Sequence, residues 1–336
     1  MPPLARTPRA ARRALTLLGV LLLSLLALSL VLGRYPNLGI MPPARLLDDP
    51  LAQQLVWNLR LPRLLAAILI GMSLAAAGVV FQMVFSNPLV EPGFLGVSQA
   101  AAFGAALAII ALGSAAWLVQ GGAVFFGLLG LGASYLLARR VRYGGWVLRL
   151  VLSGIAVSAL FSAGVGMIKY LADPLRQLPE ITFWLLGGLY GITWPRLLAA
   201  LPLMLGGLVV MLFLRWRLNL LTLDEDAAAA LGASGSSERL AVLLAAVAAT
   251  AASISIGGLI GWAGLITPHL ARRLFGADAR YALPGALLIG AIYLVICDNL
   301  ARLLLIGEIP LGILTSLLGA VAFLTLLTRP LLQHQS

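Results

Sequence analysis

The chain has 336 residues, 61% of them hydrophobic and only 10% charged, whereas an ordinary soluble domain is about 45–50% apolar and about 25% charged. That composition excludes a water-soluble globular fold, and apolar runs of roughly 20 residues match the hydrocarbon thickness of a bilayer. The formal charge of +11 is of the kind that cytoplasmic loops accumulate, and no basic, aromatic-interleaved domain is present to bind nucleic acid.

The expected fold is all-α: one transmembrane domain spanning residues 1–336, a polytopic helical bundle. Alternating ten-residue segments, the sign of a membrane β-barrel, are missing. Arg6, Arg9, Arg12 and Arg13 lie in a tail, 1–14, ahead of the apolar run 15–32. That run is long for a signal peptide and lacks a small-x-small site after it, so it reads as an uncleaved first span entering from the cytoplasm. Further spans are expected at 62–84, 94–113, 116–138, 147–170, 196–214, 238–256, 259–272, 283–303 and 311–328. The eighth is short for a full crossing. The apolar stretch 179–191 is too short to span and reads as a re-entrant or interfacial helix. Ten spans place both termini in the cytoplasm, and fifteen of the 23 cationic residues then fall on the inner side, as the positive-inside rule requires. The same count brings Arg60, Arg63 and Arg302 together on the outer face.

Small residues recur at helical spacing: Gly71, Ala75 and Gly78; Gly154, Ser158 and Ser162; Gly257, Gly261 and Gly264. Such stripes let helix backbones approach closely in lipid.

Four stretches carry candidate chemistry. "FQMVFSNPLVEPGFLGVSQAA", 81–101, sets Pro88, Pro92 and Gly93 between two spans. It is either a tight loop or a broken segment lining a pathway, where irregular backbone is tolerated. Gln82, Asn87, Pro88 and Ser98 are its lining or gating candidates. "RWRLNLLTLDEDAAAALGASGSSER", 215–239, holds Asp224, Glu225 and Asp226, three of the chain's 12 acids. They open an alanine run that includes Ala228 and closes at Leu231-Gly232, an arrangement that fits a short capped helix. It reads as a cytoplasmic connector or a docking helix in the loop 215–238. "GGLIGWAGLITPHLARRLFGADARYALPG", 257–285, places His269 after Pro268. With no second histidine nearby, a metal site is not expected. His269 reads as a structural residue bonded to backbone that the proline frees. "CDNLARLLLIGEIPLGILTSLLGA", 297–320, puts Asp298 and Arg302 four apart on one helix face, so they can pair, and Glu308 just before Pro310 and Gly312.

Cys297 is the only cysteine, which excludes an intrachain disulfide. Lys169 is the only lysine, and there is no P-loop, HExxH or GxSxG. No cofactor is expected in this chain.

In order, the blocks Arg60-Leu61-Pro62-Arg63, 82–96, 221–232, 264–272, 298–302 and 307–312 resemble the permease subunits of ABC importers for iron-siderophores, haem and cobalamin, the FecCD-type family. The resemblance covers nearly everything after residue 55. It implies ten spans and a homodimer, a second copy of this chain completing a translocation path on the two-fold axis. It also implies a cytoplasmic ABC ATPase dimer that holds the ATP and Mg, and an extracytoplasmic substrate-binding protein. By the same resemblance, Arg60, Arg63 and Arg302 dock acidic residues of the binding protein, and 224–232 is the coupling helix that enters the ATPase. The alternative from another class is a secondary transporter driven by an ion gradient, for which Glu91, Asp298 and Glu308 are the nearest carboxylates.

Overall fold

The computed structural model describes residues 7–35, 38–222, 235–305 and 307–328. Helix α1 is Pro8–Val31. It starts earlier than the expected span because Thr7 caps it, its hydroxyl accepting from the Ala10 amide at 3.2 Å, and Pro8 takes the first helical position. Arg9, Arg12 and Arg13 are thus helical rather than part of a tail. Leu17, Val20, Leu21 and Leu23 stay exposed, so this helix offers one flank to lipid.

A two-residue antiparallel ladder, Leu32–Gly33 with Gly39–Ile40, and a single turn, Arg45–Asp48, follow. The Asp49 carboxylate caps α2, Pro50–Leu55, accepting from the Leu51 and Ala52 amides at 3.0 and 3.3 Å. Helix α2 does not end before Pro62. It passes through a π turn, Val56–Arg60, into α3, Leu61–Val84. The Arg60–Arg63 motif therefore lies inside a continuous helix instead of at a helix start. A proline in an α-helix clashes with the carbonyl four residues back, and the widened turn moves that carbonyl aside.

Helix α3 is the centre of the bundle and is nearly all buried. Next in chain order come α4, Val97–Ala111; α5, Ala116–Arg140; and α6, Trp146–Leu171, which pack on one another. The short apolar stretch forms α7, Gln177–Leu186. Then come α8, Trp194–Phe213; α9, Arg215–Leu221; α10, Gly235–Gly257; α11, Ala263–Phe275; α12, Ala279–Leu303; and α13, Leu311–Thr328. Seven helices among the described residues are long and apolar enough to cross a membrane, and α4 and α13 are shorter apolar helices. The 13 residues of α11 reach only about 20 Å at 1.5 Å per residue, which agrees with the short eighth span.

Glycines set the spacing. Gly71 of α3 lies against the Gly290 carbonyl of α12, and Gly290 lies against Gly71 in return. Gly78 meets the Gly264 carbonyl of α11. A side chain at any of these points would run into backbone. In lipid, where apolar burial drives little helix association, such close backbone packing is a principal attraction. The stripe on α6 behaves differently: Gly154 packs on the Phe94 carbonyl, but Ser162 is exposed and unpartnered by the described residues.

Helix α7 ends at Gly187, whose φ of +70° suits a residue without Cβ. There the Gly188 amide donates to Gly257 O at 2.9 Å, and the Leu311 amide donates to Gly187 O at 2.9 Å. The end of α7 is thus sewn to the end of α10 and the start of α13, satisfying backbone groups that no water would reach.

Candidate docking and translocation sites

At one end of the bundle, Arg60 of the π turn, Arg63 of α3, Arg302 of α12 and Arg34, just past α1, converge. Arg63 donates from Nε to Asp298 Oδ1 and from Nη1 to Glu308 Oε1, both at 2.8 Å. Arg302 Nε stands 3.2 Å from Asp298 Oδ2, close enough for charge attraction although not aligned as a hydrogen bond. Arg302 also donates to Asn299 Oδ1, and Asn299 donates to Ser29 Oγ at 2.6 Å. Arg60 donates to the Leu30 carbonyl at 2.6 Å, and Arg34 to the Arg302 carbonyl at 2.9 Å. The expected Asp298–Arg302 pair is present. Asp298 is fully buried, and Arg60 and Arg63 are only 8% and 9% exposed. These arginines are therefore not open forks; they cross-link three helices around one carboxylate. Among the described residues, the three guanidinium groups of Arg60, Arg63 and Arg302 stand with the two carboxylates of Asp298 and Glu308, so these five keep a surplus of one positive charge. Glu308, 41% exposed at its side chain, is the open end of the cluster.

Beside the knot is a cavity of about 560 Å³ whose wall includes Arg63, Glu180, Trp184, Tyr190, Arg196 and Glu308. Ser114 donates to Glu180 at 2.7 Å, and Arg196 to the Gly191 carbonyl at 2.7 Å. The sequence reading missed Glu180 and Arg196, because they are isolated charges on different elements and only the fold joins them.

Deeper in the bundle, a second cavity of about 380 Å³ is lined by Glu91, Ser98, Gln99, Ser158 and Thr250 among others. Ser98 thus lines a cavity. The side chains of Glu91 and Gln99 form no hydrogen bond or ion pair among the described residues. Ile155 and Ser158 on this wall belong to α6, whose Ile155, Leu160, Met167 and Tyr170 are exposed. Ser158 had been legible only as a small residue in a packing stripe.

Gln82, Asn87 and Pro88 do not join Ser98. They line a third cavity, about 500 Å³, at the opposite end from the arginine knot, with Asn219, Thr222, Arg272 and Asp278. Gln82 is buried and donates to the Leu265 carbonyl at 3.2 Å. Asn87 accepts from the Leu89 amide at 2.9 Å, a local turn next to Ser86, which holds the left-handed φ of +47°. Asp278 caps α12, accepting from the Arg280 amide at 2.9 Å, and takes a bond from Asn219 at 2.8 Å. Asn219 in turn accepts from the Ala279 amide at 2.9 Å, so α9 is stapled to the start of α12. The Arg280 side chain beside it, together with the backbone and Asn219 bonds, lowers the Asp278 carboxyl from 3.8 to about 2.

Two expectations need correction or fall outside view. His269 makes no hydrogen bond among the described residues; the amide of Gln82 serves the backbone near Pro268 instead. The proline sits within α11 and the histidine is half-exposed. Asp224, Glu225, Ala228, Leu231 and Gly232 lie outside the described residues. Pro310 stands just before α13, where its carbonyl accepts from the Ile313 amide at 3.1 Å.

Comparison with known proteins gives a consistent answer. The FecCD transport family matches residues 20–329. The molybdate import system permease protein MolB of Haemophilus influenzae is 40% identical over 91% of this chain and 92% of its own length. The hemin transport system permease protein HmuU of Yersinia pestis is 39% identical over 82% of this chain and 83% of its own. The vitamin B12 import system permease protein BtuC of Vibrio cholerae is 40% identical over 83% and 84%. Among solved structures, an inward-facing conformation of a putative metal-chelate type ABC transporter superposes with a TM-score of 0.88 at 39% identity, covering 95% of this chain and all of that one.

Proposed function

Because this chain belongs to the FecCD transport family, and so is an inner-membrane permease subunit of a metal-chelate type ABC importer and not an enzyme on its own, we propose that it forms the homodimeric pathway for an iron-siderophore or a similar chelate such as haem or cobalamin. The observation that supports this best is the second cavity. It lies against α6, whose exposed small and apolar face has no partner among the described residues. A second copy meeting that face would close the cavity into a channel on the two-fold axis.

On this reading the arginine knot is the outer end and the Arg272 end is cytoplasmic. A loaded binding protein docks over the knot, where the surplus positive charge attracts acidic side chains and fixes their register. The planar guanidinium suits carboxylates, and it stays charged. Glu308 holds one face of Arg63 and is displaced or joined by the incoming acid. Segment 224–232 engages the ATPase, which holds ATP and Mg. ATP-driven closure then shifts the bundle between outward- and inward-open states, by as much as binding differs between them. Small and polar walls at Ser98, Gln99 and Ser158 suit a large cargo that has to leave as well as enter.

Gentle purification of the chain from its native membrane tests this. An ABC ATPase in near-equal amount, with a binding protein at lower occupancy, is the expected result. A chain that repeatedly purifies alone in mild detergent would overturn the proposal.

A further inference from the structure

The third cavity contains a charge the proposed mechanism has not used. Arg272 sits in the last turn of α11. Its Nη2 is buried without a partner, and the side chain forms no hydrogen bond or ion pair among the described residues. Among the described residues, the acid on this wall is already committed: Asp278 takes bonds from Arg280 and Asn219. Arg217, further along this end, is paired with Glu238. A half-buried guanidinium without an acceptor is costly, and a group left in that state needs an explanation.

We infer that Arg272 is a receptor for a carboxylate side chain of the ATPase subunit, which enters the 500 Å³ cavity between α3, α9 and the α11–α12 turn. This rests on the proposed function, since it assumes an ATPase at this end of the bundle. Three features favour that occupant. The cavity wall ends in Thr222, the residue before 223–234, so it adjoins the expected ATPase contact in sequence. Ser86, Asn87 and Thr222 ring the cavity with short polar groups that can hydrogen-bond a carboxylate's second oxygen. A guanidinium with free N–H groups on one edge binds a carboxylate in two parallel bonds, the strongest neutralisation open to it. Arg273, next in sequence, does not line the cavity and serves as the control.

The test uses the permease–ATPase complex purified in detergent, with association measured across a sodium chloride series. Arg272→Gln is expected to weaken association about thirtyfold or more, as loss of a desolvated charge pair does, and to flatten its salt dependence. Arg272→Lys should restore part of the loss, and Arg273→Gln should stay within about twofold of native. The permease alone should melt no earlier with Arg272→Gln, because no described residue is bonded to that side chain. Equal affinity for native and Arg272→Gln overturns the inference, as does a lower melting temperature of the permease alone. Loss of co-purifying phosphatidylglycerol with ATPase affinity unchanged overturns it too, in favour of a lipid headgroup. A native permease that binds no ATPase refutes the proposed function itself, which is a different failure. Should Arg272→Gln fail to assemble, Ser86→Cys gives a second readout: bound ATPase should protect it from a maleimide, and equal labelling with and without ATPase overturns the inference.

Discussion

Replacing Asp298 by asparagine preserves shape and removes one charge from the centre of the arginine knot. Asp298 is fully buried and meets Arg63 at 2.8 Å and Arg302 at 3.2 Å. At an effective dielectric of ~20 each contact is on the order of 5 kcal/mol of gross attraction, most of it offset by desolvation. Breaking a buried pair from one side costs about 3–5 kcal/mol, because the remaining charge is stranded. Here Arg63 keeps Glu308 and Arg302 keeps Asn299, so the low end applies, about 3 kcal/mol. For a chain of this size that corresponds to a fall of roughly 5 °C in melting temperature, read by intrinsic fluorescence in detergent. Adding Arg302→Leu to Asp298→Asn should recover part of the loss, since it removes one of the stranded cations. Melting of Asp298→Asn at the native temperature would refute the idea that this carboxylate holds the three helices.

Three further outcomes follow from the same geometry. Gly71→Ala should lose about 1–3 kcal/mol or fail to accumulate, because its Cβ would enter the Gly290 carbonyl; Gly261→Ala, whose Cβ meets only Ser316 Oγ at 3.8 Å, should melt like the native chain. Asp278 has a folded pKa lowered to about 2, so its stabilisation is full above the unfolded value and disappears as pH falls from about 4 to about 2. With the group largely solvated the effect is about 1 kcal/mol after screening; a melting series from pH 5 to pH 2.5 should show it in the native chain and lose it in Asp278→Asn. Glu308→Gln should uncover Arg63 and raise binding-protein affinity about threefold at low salt, an effect that 0.5 M sodium chloride suppresses; weaker binding would place Glu308 among the contacts instead.

The helical, membrane-spanning class and the order of the apolar segments were legible because lipid imposes one rule along the whole chain: every backbone group must be satisfied within a helix. Small-residue stripes also read correctly where they touch inside the chain, as at Gly71 and Gly78. Boundaries were less legible. Pro62 looked like a helix start, but a π turn carries α3 back to Pro50 without a break. Pro8 lengthens α1 past its apolar run because arginine is as good a helix former as leucine. Of the site, Asp298 and Arg302 could be paired from their spacing, whereas the bonds from Arg63 to both Asp298 and Glu308 could not: they join positions 235 and 245 residues apart. Exposure was the other blind spot. A charge motif at a helix boundary looks the same in sequence whether its arginines face water or are locked against buried carboxylates. Ser98 was found from the breaks around it, but its cavity neighbours Gln99 and Ser158 sit in ordinary helical text and are brought together only by the packing of α4 on α6.

The central claim is that this chain is the passive path of a transporter powered from another subunit. Its most direct test is uptake into vesicles that hold the purified chain with its co-purifying ATPase and binding protein. Ferric citrate, haem, cobalamin and molybdate would each be offered as labelled cargo. Accumulation of at least one, dependent on ATP at the Arg272 face, abolished by vanadate and unchanged by a protonophore, is the predicted result. Accumulation that needs no ATP and collapses with the protonophore would contradict it, and would return Glu91, Asp298 and Glu308 to the role of ion-coupling carboxylates.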